Sequence, residues 1–81
     1  MLKLEIRTKL TPEKATERLK SFFGKGGLGL EITDDAPQCL YFEGGGGFVR
    51  ATVCPEEKDT RINIETQEWD YQVKKFSSSL S

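Results

Sequence analysis

Leu2, Leu4 and Ile6 alternate with Lys3, Glu5 and Arg7, and this period of two predicts a half-buried strand. The period then changes. Ala15, Leu19, Phe22 and Phe23 fall on one face of a helix whose other positions hold Glu13, Lys14, Glu17, Arg18 and Lys20. Thr11, Pro12 and Glu13 mark its start: a hydroxyl cap, a proline at the first helical position and an acid at the positive end of the dipole. Leu10 and Ala15 have the spacing of a hydrophobic staple, and Gly24 is expected to end the helix in the left-handed region. Period two returns at Leu28, Leu30 and Ile32, which predicts a strand over 28–33, followed by a turn at Asp34-Asp35-Ala36-Pro37. Further strands are expected over 38–43, 48–54 and 61–66, the last with Ile62 and Ile64 inward. From about residue 67 a helix places Trp69, Val73, Phe76 and Leu80 in one stripe, with its end over 77–81 expected to fray into serines.

The third and fourth strands meet at Glu43-Gly44-Gly45-Gly46-Gly47-Phe48, a hairpin turn centred on Gly45 and Gly46. That centre pairs Glu43 with Phe48, Tyr41 with Arg50 and Cys39 with Thr52. Leu40, Phe42, Val49, Ala51 and Val53 then share one face, which must be the core side. Keeping core residues opposite core residues pairs Val53 with Ile62, Ala51 with Ile64, Phe42 with Leu30 and Leu40 with Ile32. The other face carries a cross-strand row Glu31–Tyr41–Arg50–Glu65, in which Arg50 can pair with Glu65 and stack on Tyr41. Two glycines suffice for such a turn. The run Gly44, Gly45, Gly46 and Gly47 has three accounts: a flexible tip, which leads, a nest of N–H groups for an anion or a partner carboxylate, or close approach by another backbone.

The string β-α-β-β-β-β-α predicts a single α+β domain over 1–81, a five-stranded antiparallel sheet with two helices packed on one face. A string of this kind, with the last helix along an antiparallel sheet, resembles the TATA-binding-protein-like and helix-grip folds, a theme that the larger Bet v1-like and START-like ligand carriers elaborate. The resemblance is one of topology and spans the whole chain. It implies a sheet order 2-3-4-5-1. TATA-binding proteins meet DNA with the open sheet face, but here Lys3, Arg7, Arg50 and Arg61 on that face are balanced by Glu5, Glu31, Glu43 and Glu65. Helix-grip carriers are longer and enclose a cavity, whereas 81 residues leave little room beyond a filled core.

Charge and chemistry narrow the function further. Twelve basic and thirteen acidic residues give a net charge of −1, so no basic field draws the chain to nucleic acid or to a membrane surface. No run reaches transmembrane length, and no leader pattern opens the chain. There is no histidine, which removes the commonest general base and metal ligand. Cys39 and Cys54 are expected to be a free, structural pair in a reducing, cytoplasmic setting, with a redox or disulfide pair or an intersubunit metal site as alternatives. Gly24-Lys25-Gly26-Gly27-Leu28-Gly29 matches G-x-G-x-x-G in form but leaves a helix and enters a strand, the reverse of a dinucleotide fingerprint. No catalytic residue, metal or cofactor is assigned. The expected function is a non-enzymatic interaction module. It would dock a protein partner or a second copy through Tyr41, Phe48 and Arg50 or through the glycine hairpin. The alternative is a carrier of a small apolar or anionic ligand held by Trp69, Val73 and Phe76 between the last helix and the sheet.

Overall fold

The computed structural model describes residues 1–36 and 38–80. The elements are β1 (Leu2–Thr8), α1 (Pro12–Phe23), β2 (Glu31–Ala36), β3 (Cys39–Gly44), β4 (Gly47–Pro55), β5 (Thr60–Gln67) and α2 (Asp70–Leu80). The five strands form one antiparallel sheet in the order β1-β5-β4-β3-β2, which is the expected helix-grip arrangement. Both helices pack on one side of it.

Across β3, β4 and β5 the register is the one the apolar pattern demands. Tyr41 is opposite Arg50, Ala51 opposite Ile64 and Val53 opposite Ile62. The core face therefore gathers Leu40, Phe42, Val49, Ala51, Val53, Ile62 and Ile64, all 1% exposed or less. The helices close it with Ala15, Leu19 and Phe23 from α1 and Val73 and Phe76 from α2. Phe23 is the hub, with ring centroids 5.3 Å from Phe76, 5.6 Å from Phe42 and 4.9 Å from Phe22. Each large side chain buried here contributes about 1.5–3 kcal/mol relative to exposure. Threonines continue the inward row of β5 at both ends. Thr60 Oγ1 donates to Leu10 O at 2.7 Å and Thr66 Oγ1 to Phe48 O at 2.8 Å, so neither buried hydroxyl is left unpaired.

Helix α1 starts as its sequence dictates, with Thr11 Oγ1 accepting from Lys14 N at 3.3 Å. Its end differs from expectation. Gly24 is extended, with φ −81 and ψ −158, rather than left-handed. Glycine is needed there for space, because a Cβ would lie 2.5 Å from Lys20 O. The left-handed residue is Gly29, at φ +80.

Strand β2 departs further. The strand expected over 28–33 begins instead at Glu31 and takes in Asp34, Asp35 and Ala36, which the sequence assigns to a turn. Pro37 of that turn lies outside the described residues. The cause is at the end of α1. Leu28 N donates to Phe22 O and Leu30 N to Phe23 O, both at 2.9 Å, so these amides satisfy helix carbonyls and are not available to the sheet. The pairing slides accordingly. Ile32, not Leu30, faces Phe42, and Asp35, not Ile32, faces Leu40, with a register shift between Ile32 and Asp34.

The second helix also begins later than the stripe suggests. β5 runs through Gln67, Glu68 turns the chain at φ +74, and Trp69 precedes the helix, its carbonyl accepting from Val73 N at 2.9 Å. At the other end helical geometry extends through Leu80, past the serines expected to fray, with half-buried Leu80 packed against the core. Ser81 lies outside the described residues.

Candidate functional site: the uncovered sheet face

Both helices occupy one side of the sheet, so the outward residues of all five strands form an open surface. Its central row reads Asp34–Tyr41–Arg50–Glu65–Lys3 across β2, β3, β4, β5 and β1. Asp34 stands where Glu31 was expected, because the slide of β2 brings Glu31 opposite Glu43 instead. Nothing in the alternation announces Asp34 as a member, since the contacts that move β2 are backbone hydrogen bonds to the end of α1.

Arg50 Nη2 reaches Glu65 Oε2 at 2.8 Å. That hydrogen-bonded carboxylate, by contact and then by charge, raises the pKa of the guanidinium above its ordinary value. Tyr41 and Phe48 lie diagonally across the β3–β4 ladder and stack nearly parallel, with centroids 5.5 Å apart and planes 8° from each other. Such a pair is worth about 0.5–1.5 kcal/mol beyond its burial and makes a rigid, flat apolar plate. Both rings are half-buried, while Arg50 beside them is exposed. The structure thus brings Tyr41, Phe48 and Arg50 together, as the register predicts.

The far corner of the same face is ionic. Arg7 Nη1 lies 3.6 Å from Asp59 Oδ1 and 4.0 Å from Glu56 Oε1, and Arg61 Nε lies 3.6 Å from the same Glu56 atom. Cys54, opposite Arg61 in the ladder, and then Glu56 raise the Arg61 guanidinium's hold on its proton. Cys39 and Cys54 are both free and half-buried on this face.

The glycine run has a definite structural role. Gly45 and Gly46, at φ +59 and +82, make a two-residue turn that only glycine enters without cost, and Gly44 pairs directly with Gly47. The other constraint is contact. A Cβ on Gly44 would lie 2.5 Å from Leu30 Cδ2, one on Gly45 2.8 Å from Trp69 Cζ2, and one on Gly47 would strike Gln67 O. Trp69 Nε1 donates to Gly44 O at 2.9 Å. The leading expectation of a loose tip therefore gives way to close approach: the turn is seated on Trp69 and the β5–α2 corner.

Trp69 is half-buried, and Val73 and Phe76 pack into the core beneath α2. Val73 and Phe76 are at most 1% exposed, and the Phe76 ring meets those of Phe22 and Phe23 at 5.2 and 5.3 Å. A ligand entering there would have to displace these rings. A groove of about 650 Å³ lies elsewhere, beside the end of α1 and the start of β2, lined by Lys20, Lys25, Leu30, Glu31 and Ile32 among others. Among the described residues no group of three or more His, Cys, Asp or Glu side chains is placed to hold a metal ion, and no helix is long and apolar enough to cross a membrane. The chain matches no protein-family model and no curated protein sequence.

Proposed function

We propose that this chain is a small protein-interaction module that docks a protein partner on its uncovered sheet face, with Tyr41, Phe48 and Arg50 as anchors. The observation that carries the reading is the stacked Tyr41–Phe48 plate beside an arginine already oriented by Glu65. Aromatic and arginine side chains dominate binding energy at interfaces, and groups held in place before binding lose little entropy on contact. The alternation of charge along the row, with no net excess of base, suits a protein surface better than a phosphate backbone.

The test is comparative. Tyr41→Ala/Arg50→Ala and the parent chain are each immobilised, and partners retained by the parent alone are purified and titrated by calorimetry against both. A partner whose affinity falls at least about 100-fold in the double variant, with the fold intact by circular dichroism, supports the reading. Retention of the same proteins with the same affinities removes these residues from the interface.

A second reading, a carrier of a small apolar or anionic ligand, draws support from the groove beside α1, where Lys20 and Lys25 accompany Leu30 and Ile32. Titration with decanoate should then shift the NMR signals of Lys25 and Ile32 before any others. Unchanged spectra at millimolar decanoate would dismiss it.

A further inference from the structure

The two edges of the sheet, β1 and β2, are built differently. β2 is broken by its register shift between Ile32 and Asp34 and carries Glu31, Asp34 and Asp35, a kinked acidic strand of the kind that discourages further pairing. β1 pairs with β5 without interruption from Leu2 to Thr8 and contains neither proline nor glycine. Its outer side presents a regular row of backbone donors and acceptors.

We propose that the β1 edge pairs with the β1 edge of a second copy about a two-fold axis. Leu4 then stands opposite Leu4 of the second copy, and the two sheets join into one continuous antiparallel sheet with all helices on the same side. The interface is isologous, so every side-chain match occurs twice. Side chains choose the register. Core-facing residues must stay on the core side, which restricts the possible axes. With Leu4 on the axis, Lys3 faces Glu5 of the second copy and Leu2 faces Ile6. With Glu5 on the axis, Lys3 would face Arg7, and Glu5 would face its own equivalent, all like charges. With Ile6 on the axis, Lys3 would face Lys9, and Arg7, already 3.6 Å from Asp59, would be drawn to a new carboxylate. Of these three registers the Leu4 one alone sets no like-charged side chains opposite each other, and it places Arg7 opposite Met1 rather than a new carboxylate.

A second observation marks the same border. Met1 and Tyr71, 73% and 71% exposed, are the barest large apolar side chains among the described residues. They line one depression with Gln67, Glu68, Asp70 and Gln72, where β1 begins and α2 starts. A strand added to the β1 edge brings the second copy alongside this depression. The pairing uses the edge and leaves Tyr41, Phe48 and Arg50 free, so it is independent of what the outer face binds.

Sedimentation velocity at micromolar concentration tests it. The parent should be a dimer. Lys3→Glu should weaken the dimer about tenfold, because two attractive pairs become repulsive. Adding Glu5→Lys to the same chain should restore most of that loss, since the pair is then reversed rather than removed. Lys3→Glu also faces Glu65 within its own sheet, and thermal unfolding reads that effect separately because the swap does not relieve it. Independently, Leu4→Cys in a Cys39→Ser/Cys54→Ser background should form a covalent dimer on mild oxidation, and Glu5→Cys in that background should not. A monomeric parent overturns the proposal. So does a dimer indifferent to Lys3→Glu, or cross-linking through Glu5→Cys in preference to Leu4→Cys.

Discussion

Alanine at Gly45 and alanine at Gly46 should differ sharply, although the two residues are neighbours in one turn. Both have positive φ, so either substitution places a Cβ in the left-handed region at a cost of about 1–2 kcal/mol. At Gly46 that is the whole effect, because nothing lies within 4 Å of the added atom. At Gly45 the Cβ would lie 2.8 Å from Trp69 Cζ2, and the indole must move. It cannot do so and keep its 2.9 Å bond to Gly44 O, whose loss adds about 0.5–1.5 kcal/mol. Gly46→Ala should therefore cost about 1–2 kcal/mol and Gly45→Ala about 1.5–3.5 kcal/mol. In a domain of this length each kcal/mol lowers Tm by roughly 4–8 °C, so the two variants should melt several degrees apart. Urea unfolding followed by circular dichroism measures the costs. The emission of Trp69 in the folded baseline adds a local readout, shifted by Gly45→Ala and unmoved by Gly46→Ala. Equal costs, or an unchanged Trp69 spectrum in Gly45→Ala, would refute the packing argument. Two neutral substitutions would show that the tip is loose.

Thr60→Val removes the hydroxyl that donates to Leu10 O at 2.7 Å and leaves that carbonyl short of a partner, so chemical denaturation should show a loss of about 1–3 kcal/mol. Thr11→Ala deletes the cap on α1, a contact of 3.3 Å, and should cost about 0.5–1 kcal/mol in the same assay. Glu68→Gly relieves a positive φ of 74 in a residue with a side chain. It should raise stability by up to about 1 kcal/mol once the looser unfolded chain is counted, and a clear loss would mean that Glu68 is not strained. Glu65 raises the Arg50 pKa, and a raised folded value contributes stability that is present below the unfolded value and lost only in strong alkali. The stability gap between the parent and Arg50→Gln should therefore stay flat from about pH 6 to about pH 9 in denaturant titrations, and should shrink in high salt.

The register of β3, β4 and β5 is legible in the sequence because one face is uniformly apolar and Gly45-Gly46 fixes the turn. Sliding β3, β4 or β5 by one position would turn Tyr41, Arg50 or Glu65, respectively, to the core side. The row Tyr41–Arg50–Glu65 follows directly, and so does the neighbourhood of Phe48. β2 is not legible in this way. Leu28, Leu30 and Ile32 alternate like a strand, but the alternation cannot reveal that the amides of Leu28 and Leu30 are committed to carbonyls of α1. Asp34 enters the outer row for that reason, and Asp35 turns to the helix side, where Lys20 Nζ meets it at 2.9 Å. Trp69 fits the period of α2 and yet stands before the helix, because Glu68 turns the chain and the indole is held under the glycine turn. Propensity along the chain carries no trace of a contact between residues 45 and 69.

The position of β1 bears on the order in which the molecule assembles. β2 through β5 follow one another in space as in sequence, so each hairpin closes a short loop. β1 meets β5 only by joining Leu2 to Thr66 and Thr8 to Thr60, a closure over roughly fifty to sixty residues. Relative to a two-residue hairpin, that closure costs about 3 kcal/mol more in chain entropy. The meander is therefore expected in the folding transition state and the β1–β5 seam after it. Substitutions at Ile62 or Ala51 should slow folding, whereas truncation of Leu4 should chiefly hasten unfolding. The strand that precedes the others along the chain is thus the last to find its place, and Leu2, Leu4 and Ile6 stay unprotected until β5 has been made.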